Sequence, residues 1–175
     1  MPTVILDAGH GGSDFGATFE GRREKDDNLA LTLAVGDILA ENGVNVLFTR
    51  TTDIYETPTA KAQEGNASGA DYFISIHRNS SPIPNQYTGI ESLVYNRNST
   101  AAEIARNINR NLEAVGFANQ GVNERRNLAV LRRTVMPAVL VEAGFINNDK
   151  DNELFDAQFD AIAQAIADGI LESIQ

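Results

Sequence analysis

Short apolar runs rich in β-branched residues alternate along this chain with longer segments whose apolar residues recur at helical spacing. The first run, Thr3–Asp7, ends in a glycine-rich stretch, as a buried strand entering a loop does. The next segment repeats leucine and valine at helical spacing and stops at Asn42-Gly43, which is a typical C-terminal signal of a helix. Because strands that alternate with helices usually pair in parallel, the pattern predicts an α/β fold with a largely parallel sheet.

Six strands and four helices are predicted from these patterns. The predicted strands are Thr3–Asp7, Val44–Thr49, Tyr72–His77, Ile90–Tyr95, Asn127–Leu131 and Val139–Glu142. The predicted helices run from Glu24 to Leu39, Pro58 to Ala67, Ala101 to Val115 and Phe155 to Ile170, and Ala118–Arg126 is predicted as a surface loop. We therefore expect a mixed, mostly parallel sheet of about six strands with helices on both faces, in one domain covering residues 1–175.

The amino-acid composition excludes several classes of binding partner and site. The 175 residues include 24 acidic and 14 basic side chains, giving a formal net charge of -10, and such a field repels a nucleic-acid backbone. The longest apolar runs, such as Ala138–Val141, are far shorter than the roughly 20 residues that span a bilayer. There is no cysteine, which excludes thiolate metal sites and a cysteine nucleophile. We expect neither a nucleic-acid partner nor a membrane span.

The chain has only two histidines, and both follow predicted strands. His10 comes just after the first strand and His77 closes the third. In open α/β sheets, ligands bind beyond the carboxyl ends of the strands, so both imidazoles are expected at the same crevice. Histidine is the commonest metal ligand, and without thiolate the natural third donor is a carboxylate oxygen. The candidate carboxylates near these strand ends are Asp7, Asp14, Glu24 and Glu142.

Two imidazoles, one carboxylate and an open position suit Zn²⁺ in a hydrolytic site. Zinc lowers the pKa of bound water to about 7 and polarises a carbonyl, while a carboxylate outside the coordination shell can carry protons. This division of labour is that of metal-assisted amide hydrolysis. From the residues alone, either Glu24 or Glu142 could bind the metal, and Fe(II), whose oxygenases use the same ligand types, also remains open.

Four motifs, in register, resemble the zinc-dependent N-acetylmuramoyl-L-alanine amidases of the amidase 3 type. The motifs are Asp7–Ala17, Glu24–Leu29, Ile74–Asn79 and Pro137–Asn148, and Phe48-Thr49-Arg50 with Asp53 is also similar to that family. The resemblance runs in order from about Val4 to Asn148. Any one motif would be a weak signal, whereas four in order are specific.

The resemblance implies His10, Glu24 and His77 as ligands of one Zn²⁺ per chain and Glu142 as the catalytic carboxylate. It implies hydrolysis of the amide between the lactyl group of N-acetylmuramic acid and the L-alanine of the stem peptide in peptidoglycan. It also implies action outside the cell at the bacterial wall, including a phage lysin as a source. We further expect a monomer, with a wall-binding domain elsewhere in the full-length protein. The alternative is a catalytically inactive peptidoglycan-binding module that retains the fold.

Two positions depart from the family pattern. Arg78 stands where members usually carry a small residue, and Lys61 stands where many carry arginine. Arg78 is predicted to contact a carboxylate of the stem peptide, with an ordinary exposed residue as the alternative. Asn79 is predicted to support the site by hydrogen bonding, with a plain turn as the alternative. Arg50 is predicted to be a structural ion-pair partner.

Overall fold

A six-stranded sheet runs through the middle of the protein in the computed structural model, which describes residues 1–175. The strands are β1 (Thr3–Ala8), β2 (Thr18–Phe19), β3 (Arg22–Arg23), β4 (Asn45–Phe48), β5 (Tyr72–Asn79), β6 (Ile90–Val94), β7 (Asn119–Glu124) and β8 (Ala138–Phe145). The order in the main sheet is β4-β1-β5-β8-β6-β7, and β2 and β3 form a separate antiparallel pair.

All neighbours in the main sheet are parallel except β6 and β8, which are antiparallel. The prediction of a mixed, mostly parallel sheet is confirmed. The antiparallel pair has a consequence for function, because the first residues of β6 lie at the same edge as the last residues of β1, β5 and β8. Glu91 of β6 is thereby placed directly opposite Glu142 of β8.

Helices cover the two faces of the sheet unequally. They are α1 (Glu24–Glu41), α2 (Pro58–Ser68), α3 (Thr100–Val115), α4 (Ala129–Arg132), α5 (Asp149–Ala157) and α6 (Phe159–Ile174). One face, with Leu6 and Ile76, packs under α1, α3 and α6 in a cluster of 28 buried residues. The other face, with Ile5 and Phe73, lies under α2 and α4 in a cluster of only 8. The thinner side leaves room for a ligand cavity.

Strand alternation decides which face carries the polar residues of the site. Successive side chains of a strand point to opposite faces, so Asp7 shares the face of Ile5, and His77 shares the face of Phe73. Glu142 lies opposite His77 in the parallel register and shares that face with Glu91. The polar residues at this edge therefore lie on the thinly covered side, next to α2 and α4.

Three predicted elements differ from the structure. The predicted surface loop Ala118–Arg126 contains the edge strand β7, whose polar sequence has no apolar alternation, because an edge strand gains its main-chain bonds from one neighbour and leaves most side chains to solvent. The predicted strand Asn127–Leu131 contains the first residues of α4 instead. A short apolar run does not distinguish a strand from a helical turn. The predicted C-terminal helix is divided at Gln158 into α5 and α6.

No helix combines the length and the apolar character that crossing a bilayer requires.

Close packing of α3 against α6 depends on Gly169. A Cβ built at Gly169 would lie 2.5 Å from the Cα of Ile108 and 2.6 Å from its backbone nitrogen. These are main-chain atoms of a fully buried residue, so neither can move without shifting α3. The absence of a side chain at this position lets the two helices meet.

We predict that Gly169→Ala lowers the free energy of unfolding by about 1–3 kcal/mol, the usual cost of overpacking. Helix propensity alone would favour alanine over glycine by about 1 kcal/mol. The predicted loss of stability therefore comes from the steric overlap with α3. Urea unfolding followed by circular dichroism measures the difference. Asp168→Ala, at the preceding position of α6, is the control and should change stability by less than the glycine substitution. Higher stability of Gly169→Ala would contradict the close approach.

Candidate metal centre

Buried donors hold the main chain that leaves β1. The carbonyl of Ala8 accepts hydrogen bonds from Arg50 Nε at 3.0 Å and from Lys61 Nζ at 2.8 Å. The carbonyl of Gly9 accepts from Arg50 Nη2 at 3.0 Å and from Asn28 Nδ2 at 3.1 Å. These contacts fix His10 with a φ of 64°, a conformation that is uncommon for a residue other than glycine. The turn thereby aims the His10 ring back over the sheet edge.

Arg50 therefore acts on the backbone rather than as the predicted ion-pair partner. Its guanidinium donates to the carbonyls of Ala8, Gly9, Lys25 and Thr52 and has no carboxylate within ion-pair distance. Lys61 instead makes the buried ion pair with Asp7, at 2.9 Å.

Three side chains converge at this edge. His10 Nε2 lies 3.2 Å from Glu24 Oε1, and His77 Nδ1 lies 3.1 Å from Glu24 Oε2. One nitrogen or oxygen from each of the three residues lies within 4.8 Å of the others, close enough to hold one metal ion. The two rings meet edge to face, with centroids 5.1 Å apart. The prediction that the two imidazoles converge is confirmed.

Two glycines make room for these side chains. A Cβ at Gly9 would overlap the His77 ring, and a Cβ at Gly16 would lie 2.6 Å from His10 Cδ2 and 2.7 Å from Glu24 Oε1. Gly16 also has a φ of 67°, which favours glycine. Gly9 and Gly16 thus let the main chain pass close to the side chains of His10, Glu24 and His77.

Glu24 is the anion of the group. It is the first residue of α1, and its Oε1 accepts a hydrogen bond from the backbone of Ala17 while Oε2 accepts from Asn28 and from the backbone of Arg78. Burial alone would raise the pKa of Glu24, but the hydrogen bonds to His10 and His77 outweigh it and lower the pKa far below its usual range. An ionised carboxylate between two imidazoles is a donor set that fits a divalent cation.

Asp14 lies behind His10. Its Oδ2 is 2.8 Å from His10 Nδ1, on the side of the ring away from Glu24. Burial alone would lower the pKa of His10, but the hydrogen bonds with Glu24 and Asp14 outweigh it and raise the pKa to about 9. A carboxylate on the outer nitrogen is how metal-binding histidines are usually oriented, so Asp14 fits an outer position better than a ligand position.

Asp7 is also separated from the donor group. It is 1% exposed, and its oxygens accept from Thr49 and Ser75 and pair with Lys61. Burial alone would raise the pKa of Asp7, but Lys61 outweighs it and the pKa is lowered. Of the four carboxylates that the sequence left open, only Glu24 has both oxygens among the imidazoles.

Glu142 stands beside the donor group without joining it. Its Oε2 is buried and accepts no hydrogen bond. Removal of this carboxyl from solvent raises its pKa to about 7, and the carboxylates of Glu24 and Glu91 contribute to the rise. A carboxyl group with a pKa near neutrality can both accept and release a proton.

Arg78 does not face a ligand, and the prediction that it contacts the stem peptide is wrong. Its side chain is 0% exposed and donates to the carbonyls of Ala143 and Phe145 and to Asp27 and Asn152. The guanidinium carbon lies 4.3 Å from the centre of the Phe155 ring. Arg78 therefore joins the sheet to α1 and α5. Its pKa is lowered by burial, which Asp27 opposes.

Asn79 lies at the end of β5, where its Nδ2 is 3.3 Å from Glu91 Oε1. Asn123 Nδ2 donates to the other oxygen of Glu91 at 2.7 Å. Glu91 was not identified from the sequence, because a lone glutamate in a strand carries no motif of its own. Asn28 falls within the motif Glu24–Leu29, which gave it no role. Only the pairing of β6 with β8 gives Glu91 its position.

A cavity of about 440 Å³ opens beside the donor group. It extends from His10 and His77 across the thinly covered face to α2 and α4. Its wall combines apolar side chains with polar ones, among them Thr59, Asn127, Leu128 and Val130. A cavity of this size with a few polar groups is typical of a ligand site.

Comparisons with known proteins agree with this geometry. Residues 4–172 match the family model described as Amidase_3, N-acetylmuramoyl-L-alanine amidase. The chain is 37% identical to N-acetylmuramoyl-L-alanine amidase CwlM of Bacillus licheniformis and 38% identical to the sporulation-specific N-acetylmuramoyl-L-alanine amidase of Bacillus subtilis. Each alignment covers 97% of this chain but only 66% and 67% of those proteins, so the chain spans about two thirds of their length.

The fold is also that of solved amidases. The crystal structure of N-acetylmuramoyl-L-alanine amidase from Clostridium difficile 630 superposes with a TM-score of 0.92 at 32% identity, covering 98% of this chain and 95% of that one. The catalytic domain of CwlV from Bacillus (Paenibacillus) polymyxa superposes with a TM-score of 0.90 at 36% identity, covering 98% and 97%. The chain therefore belongs to the Amidase_3 family of N-acetylmuramoyl-L-alanine amidases.

Proposed function

We propose that this chain is a zinc-dependent N-acetylmuramoyl-L-alanine amidase. Its substrate would be the amide that joins the lactyl group of N-acetylmuramic acid to the L-alanine of the stem peptide. The observation that carries the proposal is the convergence of His10, Glu24 and His77 on one point, with the unpaired Oε2 of Glu142 close by. Family membership supplies the substrate.

The residues present fit a zinc ion. His10, Glu24 and His77 would hold it, one ion per chain, because two imidazoles and one carboxylate leave a position open for substrate. Zinc bound in this way polarises a substrate carbonyl and lowers the pKa of water. Asp14 would keep the proton of His10 on Nδ1, so that Nε2 stays free to bind metal. The Fe(II) alternative has no support in the fold, which is α/β and matches amidases.

Glu142 would move the proton. Its carboxylate accepts a proton from the attacking water and then donates it to the nitrogen of the departing L-alanine. The removal from solvent that raises its pKa suits both steps. Asn79 would support this residue indirectly, since it holds Glu91, the residue opposite Glu142 in the antiparallel pair.

The relatives suggest where the protein acts. They include proteins named probable cell wall amidase LytH, from Staphylococcus aureus, and endolysin, from Bacillus phage SPP1. We propose that this chain acts on wall peptidoglycan outside the cytoplasm, as a monomer, with a wall-binding domain in the full-length protein. An inactive binding module is less well supported, because His10, Glu24 and His77 lie together and Glu142 lies opposite His77.

Mass spectrometry of digested sacculi tests the bond. We expect stem peptides with a free L-alanine amino terminus, together with glycan strands of unbroken length. The reason is that hydrolysis of the lactyl amide separates peptide from sugar without touching either chain. Cleavage within the stem peptide or within the glycan would contradict the proposed activity, and absence of any product would favour the inactive module.

We predict that Glu142→Gln lowers kcat by about 10²–10⁴-fold, the usual contribution of a positioned acid–base group. Zinc content measured by mass spectrometry should stay at one ion per chain, because Glu142 contributes no atom to the donor group. Glu91→Gln is the matched control, since it removes the carboxylate opposite Glu142 in the strand pair, which has no proposed role in proton transfer. Equal losses in the two variants, or unchanged turnover of Glu142→Gln, would rule out the proton-transfer role.

We predict that Asp14→Asn raises the dissociation constant of zinc by about 10- to 100-fold, as the loss of an outer carboxylate does at other zinc sites. Competition with a fluorescent chelator measures the constant. Asp53→Asn is the control, because Asp53 accepts hydrogen bonds from Gly12 of the same loop and from Lys25 of α1 without touching a histidine. The orienting role of Asp14 would be excluded if both variants bound zinc equally well.

A further inference from the structure

Basic side chains are concentrated in one part of this acidic protein. Residues 97–133 contain seven of the 14 lysines and arginines but only three of the 24 acidic residues. The remainder of the chain is therefore more acidic than the overall charge of -10 indicates. All seven basic residues of this segment are exposed. Where exposed basic side chains also share one surface, they attract anions even when the whole protein is negative.

Two of these arginines line one cavity. The cavity has a volume of about 290 Å³ and lies between α3 and the edge strand β7. Its walls are Arg97, Arg106, Asn109, Asn119, Gly121 and Val122. No carboxylate lines it, so two positive groups face the same space without an anion between them.

Neither guanidinium forms an ion pair with a carboxylate of the protein, and the one carboxylate whose charge interacts with Arg97 is that of Glu124. Arg97 Nη2 donates only to the amide oxygen of Asn123, at 3.3 Å, and Arg106 makes no hydrogen bond or ion pair with any residue of the chain. Arg110, one turn further along α3, is different because it pairs with Glu172. Nearby Glu124 accepts from the backbone nitrogen of Arg97 and pairs with Arg126. The side chain of Arg106 thus keeps all its donors free, and that of Arg97 uses only Nη2.

The floor of the cavity is fixed. Asn109 is 2% exposed, accepts from Ser92 and donates to the carbonyl of Gly121 and to Asn119. Because its polar atoms are satisfied, the floor does not compete for the guanidinium groups. A rigid floor beneath two free cationic side chains is a preorganised arrangement for an anion.

We propose that this cavity binds a phosphate group through Arg97 and Arg106. A tetrahedral phosphate offers three or more acceptor oxygens, whereas the two oxygens of a carboxylate are satisfied by one guanidinium fork. Two guanidinium groups around one cavity therefore match a phosphate better than a carboxylate. The phosphate would be free in solution or part of a phosphodiester polymer of the wall.

The site is separate from the metal centre. β7 lies three strands from β5 in the sheet, which at about 4.8 Å per strand corresponds to about 14 Å. Binding there would hold an anionic polymer beside the enzyme without entering the cavity next to His77. The proposed phosphate contact does not depend on the amidase activity.

Titration with inorganic phosphate at constant ionic strength tests the site. Nitrogen-15 NMR should show saturable shifts of the Arg97 and Arg106 Nε–H signals, with tighter binding of phosphate than of acetate. The double variant Arg97→Ala/Arg106→Ala should bind about tenfold more weakly or worse, since it loses the charge-assisted hydrogen bonds. The Arg97→Lys/Arg106→Lys variant, which keeps the charge but loses the forks, should also bind more weakly.

Arg110→Ala is the matched control, because it removes the same charge from the same helix outside the cavity. It should change phosphate affinity by less than about twofold. Absence of saturable shifts, equal affinity for acetate, or equal weakening by Arg110→Ala would overturn the proposal. All of these positions are exposed, and backbone spectra identify any variant that does not fold.

Sedimentation with sacculi distinguishes the two sources of phosphate and, unlike the titration, rests on the proposed function. In a Glu142→Gln background, which keeps the sacculi intact, we expect more binding to sacculi that retain phosphodiester polymers than to sacculi stripped with hydrofluoric acid. The difference should disappear in the Arg97→Ala/Arg106→Ala variant. Equal binding to both preparations would overturn the polymer as a source and assign the site to free phosphate.

Discussion

The site depends on the capture of backbone carbonyls by buried donors. Arg50 and Lys61 both reach the carbonyl of Ala8, and Arg50 and Asn28 both reach that of Gly9. Burying two cations is costly unless their donors are satisfied, and here the carbonyls of the turn satisfy them. Asp7 compensates one of the charges through its ion pair with Lys61. The turn that carries His10 is thereby held by contacts within the protein itself.

The unequal covering of the sheet turns this rigid edge into an accessible site. Three helices of 16 to 18 residues cover one face, whereas α2 and the single turn of α4 cover the other. His77, Glu142 and Glu91 lie on that second face because strand side chains alternate. The three helices on the first face therefore form the larger hydrophobic core. The incomplete covering of the second face leaves the cavity beside His10 and His77.

Much of the fold followed from local patterns, and the exceptions have physical causes. The runs that became β1, β5, β6 and β8 are mostly buried strands, and the edge strand β4 keeps three partly buried apolar residues, so the apolar character of all five is visible in the sequence. β7 is an edge strand without that pattern, and α4 is a turn too short to show a helical period. Arg78 is predicted to contact the ligand because it stands where family members usually carry a small residue, directly after His77. Its burial depends on Asp27, Asn152 and Phe155, partners that come from α1 and α5.

The sequence by itself determined the alternation of the main strands and helices and the chemistry available. Two histidines, no thiol and a few carboxylates at predicted strand ends restrict the donors to nitrogen and oxygen. Only the tertiary structure decided which carboxylate lies between the imidazoles, since Asp7, Asp14, Glu24 and Glu142 are equivalent as residue types. Their partners differ because Lys61, His77 and Glu91 reach them from distant parts of the chain. Such contacts are set by the strand order and by burial, and neither is encoded within a local motif.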